Sequence, residues 1–284
     1  SYNTTVSYNN ASLNNDRWGN GISLYAGSSN NTINDNVAKA NAVNGVYLFD
    51  SHHNVVKNLT ATDNGADGVH LTQSSSNTLY NITASSNRNS GIAFYSNSNS
   101  NEISSVNAIG NQHHGFFLQG SSKNEITDVT ASANKLDGIH LEKNSNYNVV
   151  KNSEFFSNER DGIGISGSSH NTVSQNAVFE NTRRGITLQS ASDNTIVTNE
   201  VFNNTDSGIG LYFSSSNNLS YNEILNNTRK GIYLDNSTLN LIDSNIVTGN
   251  RQDGLYAHHS DENTIKNNNL SLNSGSGAYF LNST

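Results

Sequence analysis

Glycines at positions 21, 45, 68, 91, 115, 138, 162, 185, 208, 231, 254 and 277 follow one another at spacings of 23 or 24 residues. A period of that length restricts the chain to a solenoid or a related repeat array. From Gly45 onward an Asn stands four residues before each glycine, and ten residues before that Asn stands another. Both intervals are invariant. The 24-residue coils, starting at Gly21, Gly91 and Gly138, therefore take their extra residue between the glycine and the next Asn. That segment reads as a surface turn, and the remainder of each coil as a rigid frame.

One and three residues after the glycine come apolar pairs such as Ile22 and Leu24, Val69 and Leu71, Ile139 and Leu141, and Ile186 and Leu188. A spacing of two puts both side chains on one face of a strand. Another apolar residue follows the next Asn by two (Ile33, Val56, Leu79, Ile103 and onward to Ile265), and a third patch includes Val129, Ala131, Val178, Val201, Ile224 and Val247. Each coil thus predicts three short strands. Such strands bury no core alone, but parallel stacking at about 4.8 Å gives a rod of roughly 55 Å with a continuous interior. Asn tolerates a left-handed backbone and its amide can pair with the Asn of the next coil, so the two Asn columns are expected to form ladders at the bends. No proline interrupts the pattern. The expected fold is all-β, a single-stranded parallel β-helix of about twelve coils, with residues 1–284 as one domain.

Apolar residues make up 33% and charged residues 13% of the chain. Disordered chains pair low hydrophobicity with high net charge and lack periodicity, which this one does not. A net charge of −8 argues against nucleic acid, which calls for a basic stripe. The absence of Cys removes disulfides and thiolate metal sites. There is no apolar run long enough to span a bilayer. The absence of Met reads as a mature or excised piece of a longer protein. Asn-x-Ser/Thr sequons recur, among them those at Asn58, Asn81, Asn203, Asn226 and Asn236, and such sites accept glycans in secreted proteins. With the Asn-, Ser- and Thr-rich composition they point to an extracellular or cell-surface location.

The frame Gly-Ile-x-Leu, Ser-Ser-x-Asn-x-Ile, Asn resembles the right-handed parallel β-helix repeats of NosD-type and related carbohydrate-associated proteins of archaeal and bacterial surfaces. The resemblance covers nearly the whole chain. Only Ser1 to Asn20, which carries Trp18, departs from it and reads as a coil beginning mid-repeat. It implies right-handed winding, on a fold shared by lyases, epimerases, hydrolases, adhesins and surface-layer proteins. A shorter stretch, Tyr47-x-Phe49-Asp50-x-His52, is similar to the Tyr-Gly-Phe-Asp-Pro-His motif of alginate C5-epimerases and implies catalytic roles at Tyr47, Asp50 and His52. Leu48 and Ser51 replace the Gly and Pro, and the following coil carries His70 and Thr72 where a further Asp belongs.

On the strand after each glycine, the residues one before, two after and four after the glycine are expected to face outward. Many are aromatic: Tyr47, Tyr95, Phe117, Tyr212, Tyr233 and Tyr256 are the candidate sugar-binding residues, since a ring face takes C–H surface while polar neighbours take hydroxyls. The same residues also suit a purely structural cross-strand ladder. Catalytic candidates are Asp137, Asp161, His140, Glu142 and Arg184. Asp137 and Asp161 fall in one column on adjacent coils, which predicts carboxylates roughly 5 Å apart and able to share a proton. Arg184, next in the column, suits an acidic sugar's carboxylate.

Adjacent His pairs (His52-His53, His113-His114, His258-His259) point to opposite faces of a strand, so no metal site is expected, and no cofactor. With insertions of single residues and no consistent catalytic cluster, the expected function is a non-enzymatic surface module: surface-layer, filament, stalk or adhesin. The alternative is a lyase, hydrolase or epimerase acting on an acidic glycan. Expected partners are flanking domains, neighbouring copies of the chain, or a polysaccharide.

Overall fold

The computed structural model describes residues 1–284. Thirty short strands, all paired in parallel, form two sheets. A twelve-stranded sheet takes one strand from each coil, from Ile22–Tyr25 to Ala278–Leu281. An eighteen-stranded sheet gathers the other two columns, because Thr32–Val37, Val55–Thr60, Thr78–Thr83 and Glu102–Ile109 run unbroken past a corner that later coils turn as two three-residue strands. Register follows the repeat throughout, for example Ile163↔Ile186↔Ile209. The three-strands-per-coil expectation thus holds in the later coils, while the early ones merge two strands into one.

The inward residues form one cluster of 46 buried apolar side chains running the length of the rod. A core this narrow explains how a chain of 33% apolar residues is held together. Both Asn columns are ladders. Asn134 donates from its backbone N–H and its amide to Asn158 Oδ1 (3.1 and 2.9 Å), and Asn158 donates in turn to Asn181 Oδ1 (3.0 Å). Two further ladders are not apparent from the glycine-anchored frame. Asn176, Asn199, Asn222, Asn245 and Asn268 form a third Asn column. A serine column accepts from the backbone of the preceding coil, as where Ser121 N–H donates to Ser145 Oγ (3.2 Å) and Ser145 N–H to Ser168 Oγ (3.1 Å).

The glycine column is required by close approach. A Cβ on Gly68 would lie 2.6 Å from the carbonyl oxygen of Gly91 and 2.8 Å from the Asn87 amide, distances no side chain tolerates.

The first coil differs from expectation. Thr5–Ser7 pairs with Thr32–Asn34 at an offset of 27, and Asn14 donates to Asn41 Oδ1 as a ladder member (2.8 Å). Seven residues separate Asn14 from Gly21, where four separate Asn41 from Gly45. Coil one is therefore in frame and carries a three-residue insertion, the exception to single-residue insertions.

Candidate glycan-binding and catalytic face

The twelve-stranded sheet displays the candidate residues. Two and four after the glycine, side chains face outward and stack coil upon coil: Tyr25 on Tyr47 (5.3 Å between centroids), Tyr47 on His70 (5.1 Å), His70 on Tyr95 (4.7 Å), and Tyr95 on Phe117 (5.5 Å). A second row links Tyr212, Tyr233, Tyr256 and Tyr279 at 5.2–5.6 Å. Lys230 sits 4.6 Å from both the Tyr233 and Tyr256 rings. All six sugar-binding candidates thus lie on one face, each half-buried. Burial pushes Tyr95 up to about 12, and burial also raises Tyr212, against the lowering influence of Arg184. Neither phenol ionises near neutrality, so neither supplies a tyrosinate base.

Between the rows the column reads Gly164, Thr187, Gly210. The glycines let neighbouring rings lie flat: a Cβ on Gly164 would meet His140 Nδ1 at 2.6 Å, and one on Gly210 would meet the Tyr212 ring at 2.8 Å. The Thr187 hydroxyl and Arg184 Nε are the two buried side-chain polar atoms without a hydrogen-bond partner.

The residue before the glycine faces outward where it is Arg184 or Lys230, whose charged ends lie over the tyrosine rings, but the aspartates at this position do not, contrary to the alternation argument. Asp67, Asp137 and Asp161 are 1, 1 and 4% exposed, because the chain bends there and aims the side chain along the rod. Asp137 Oδ1 accepts from Asp161 N–H and Asp161 Oδ1 from Arg184 N–H, both at 3.0 Å. Asn44 and Asp67 likewise accept from the next coil. Asp137 and Asp161 are links in a capping column, and Oδ1 of each carboxylate is spent on backbone. Their environments also differ. Burial raises Asp137, but the His140 hydrogen bond and charge, with His114 and Arg160, bring it below its ordinary value. Asp161 is raised by burial and by the neighbouring Asp137 charge.

Asp137 Oδ2 meets His140 Nδ1 at 2.7 Å, as Asp67 Oδ2 meets His70 Nδ1 at 2.8 Å. This Asp-Gly-x-His unit, present twice in the sequence, fixes the tautomer by accepting the Nδ1 proton and leaves Nε2 as the outer atom. His70 Nε2 bonds Thr72 Oγ1 at 2.8 Å. His140 Nε2 stands 3.8 Å from Glu142, whose other contacts are Gln119 (2.7 Å) and Lys143 (3.3 Å). Arg184 lies over the Tyr212 ring at 4.5 Å and 3.7 Å from the Asp206 carboxylate, and its guanidinium pairs with neither Asp137 nor Asp161.

His114, Asp137 and His140 bring three donor atoms within 4.8 Å of one another. The expectation of no metal cluster overlooked this, since the donors come from successive coils. Their atoms are committed elsewhere, however: His114 Nδ1 accepts from Asp137 N–H at 3.2 Å, and Asp137 serves Asp161 and His140. In the epimerase-like stretch, Asp50 lies in the turn after its strand at φ 47° and pairs with His52 at 3.3 Å, while Tyr47 packs against Tyr25, Phe49 and His70. The sequon residues Asn58, Asn81, Asn203, Asn226 and Asn236 all have positive φ, Asn58 and Asn81 at the corner within Val55–Thr60 and Thr78–Thr83 and the others in bends, and all but the half-buried Asn58 are exposed.

A chain wound this way is a right-handed parallel β-helix, and it belongs to the right handed beta helix region family, whose model matches residues 1–84, 40–178 and 137–284. Among solved structures it is similar to the A-module of the Azotobacter vinelandii mannuronan C-5 epimerase AlgE6, at 13% identity over 100% of this chain and 90% of that one, TM-score 0.75. The periplasmic alginate epimerase AlgG is 14% identical over 92% and 78% of the two chains, TM-score 0.55. The Dettilon tailspike protein gp208 is 14% identical over 98% and 60%, TM-score 0.69. At these identities the likeness is one of fold. No curated protein matches the chain in sequence.

Proposed function

We propose that this chain is an extracellular β-helix module of the NosD-type, carbohydrate-associated kind, whose twelve-stranded sheet contacts a glycan lying along the rod. The observation that supports the reading is the pair of aromatic rows, each ring set one coil from the next. Successive sugar rings of an extended polysaccharide would meet successive aromatic edges and faces, with Gln119, Glu142 and Asp235 beside them for hydroxyls. The exposed apolar residues of the last strand, Ala278 and Phe280, suit continuation into a further coil, a flanking domain or a neighbouring copy, as a surface-layer, filament, stalk or adhesin module requires.

Tyr233→Ala is expected to weaken polysaccharide binding about tenfold, the loss of one stacking contact, with no effect on the thermal transition beyond a few degrees. Affinity electrophoresis in gels containing the polysaccharide reads it, and an unchanged affinity in Tyr233→Ala and Tyr95→Ala together would remove the aromatic face from the proposal.

A second reading, an enzyme acting on an acidic glycan, is favoured by one feature: the His140 imidazole, oriented by buried Asp137, presents Nε2 as an acceptor on the same face as Arg184. Proton abstraction beside a uronate carboxylate needs such a base. Incubation with uronic-acid polymers is expected to give neither unsaturated product nor altered uronate composition. Turnover that disappears in His140→Gln would replace the binding-module reading with this one.

A further inference from the structure

The three-residue insertion of coil one places a structure at one end of the aromatic row that no other coil carries. Asp16 to Gly19 form a tight turn, closed by Gly19 N–H to Asp16 O (3.0 Å) and Trp18 N–H to Asp16 Oδ1 (2.8 Å). The turn is tied to the second coil by Val43 N–H to Gly19 O (3.0 Å). Arg17 packs over the Trp18 indole at 5.3 Å, and Trp18 remains 76% exposed. Between Trp18 and the sheet opens a pocket of about 220 Å³, lined by Trp18, Tyr25, Tyr47 and His70 together with Asn20, Val43 and Asn44. That is below the range of about 300 Å³ and upward typical of drug-sized ligands, which leaves room for one ring.

Two features define the occupant. The lining holds aromatic rings, the aliphatic Val43 and two amides but no Lys, Arg, Asp or Glu, so it suits an uncharged ligand. Asn20 spends its Oδ1 on Asn44 N–H and Nδ2 (3.0 and 3.1 Å), which leaves its own amide N–H groups to donate. Rings for C–H faces and an amide for a hydroxyl are the groups a pyranose needs. The pocket continues the Tyr25–Tyr47–His70 row, and the insertion stands across its end.

We infer that this pocket seats the terminal, uncharged pyranose unit of a glycan, with the rest of the chain running away along the aromatic row. The inference rests on the glycan-face reading and adds to it a direction and an end. Trp18 is the sole tryptophan of the protein, so its emission reports the pocket directly. The probes are linear hexasaccharides of β-1,4-glucan, β-1,4-mannan and α-1,4-glucan, each beside the high polymer of the same sugar at equal mass, with calorimetry in parallel. At least one hexasaccharide is expected to shift Trp18 emission saturably, and its polymer, with far fewer ends, to shift it at least tenfold less. Trp18→Ala should lower the calorimetric affinity for that hexasaccharide about tenfold, and Tyr47→Ala should abolish the emission change. Both residues are on the surface, and circular dichroism confirms that the variants are folded. Calorimetric binding with unchanged emission, undiminished in Trp18→Ala, overturns the pocket and leaves the glycan face standing. An equal emission response to polymer and hexasaccharide overturns end recognition. Absence of binding to every probe by either method overturns the pocket as a site for uncharged sugar, and if uronate polymers also fail to bind, the face reading falls with it.

Discussion

Asn158→Ala is expected to lower the free energy of unfolding by about 3–5 kcal/mol, because it orphans partners on both sides of the rod. Asn158 is fully buried. Its Oδ1 accepts from the Asn134 backbone and amide (3.1 and 2.9 Å), and its Nδ2 donates to Ala131 O and Asn181 Oδ1 (both 3.0 Å). Alanine satisfies none of them and admits no side chain to replace them. An unsatisfied buried donor or acceptor costs about 1–3 kcal/mol, and water that enters the gap recovers part of the total. Asn158→Asp separates the two halves of the effect: it keeps the acceptor for Asn134 but sets a carboxylate against two acceptors. That variant should be least stable near neutral pH and regain stability as acid protonates the carboxylate. Urea midpoints for both, with exposed Thr182→Ala as the control, provide the measurement. A loss below about 1 kcal/mol in Asn158→Ala would show that the ladder contributes no more than an ordinary surface hydrogen bond.

The ladder at Asn158 was legible in the sequence because from Asn41 onward its spacing from the glycine does not vary. The Asn176–Asn268 column was not, since the same position holds Leu59, Ile82 and Val106 in the early coils, and a column occupied only part of the way announces no period. The serine column was visible only as a Ser-rich turn. The larger difference concerns the residue before each glycine. Strand alternation assigns Asp137 and Asp161 to the outside, but alternation holds only within a strand, and the strand begins at Ile139. Two residues earlier, at Asp137, the bend turns the carboxylate along the axis, where it caps the next coil. The aromatic rows were readable because they lie inside the strand, where a period of two applies. The pocket at Trp18 was hidden by treating the first twenty residues as out of frame; counting back from Asn41 to Asn14 exposes the insertion.

The same capping column holds His114, whose buried neutral ring makes stability depend on acid. Its Nδ1 accepts from Asp137 N–H at 3.2 Å, and its ring stacks between Phe117 (5.2 Å) and His140 (5.1 Å). Burial pushes it down to about 3; the Asp137 charge acts against this, while His140, Arg160 and His113 add to it. The unfolded chain binds this proton below about pH 6.5 and the folded protein does not. Stability from neutral His114 is therefore fully present above about pH 6.5 and declines as pH falls toward 3, by at most about 1.4 kcal/mol per pH unit. Asp137, lowered in the fold, contributes stability that is lost only below its unfolded value of about 3.9. Asp161, raised, regains stability on protonation and so opposes the trend near pH 4. The slope that belongs to His114 should accordingly be cleanest between about pH 6 and pH 5. His114→Asn keeps an acceptor for the Asp137 N–H but cannot titrate. It should be less stable than the parent near pH 7, having lost both stacking contacts, yet change less as the pH is lowered, so that the two stability curves converge. Urea unfolding across that range decides the matter: parallel curves for parent and variant would mean that His114 carries a proton in the folded protein and that the capping column reads differently at this coil.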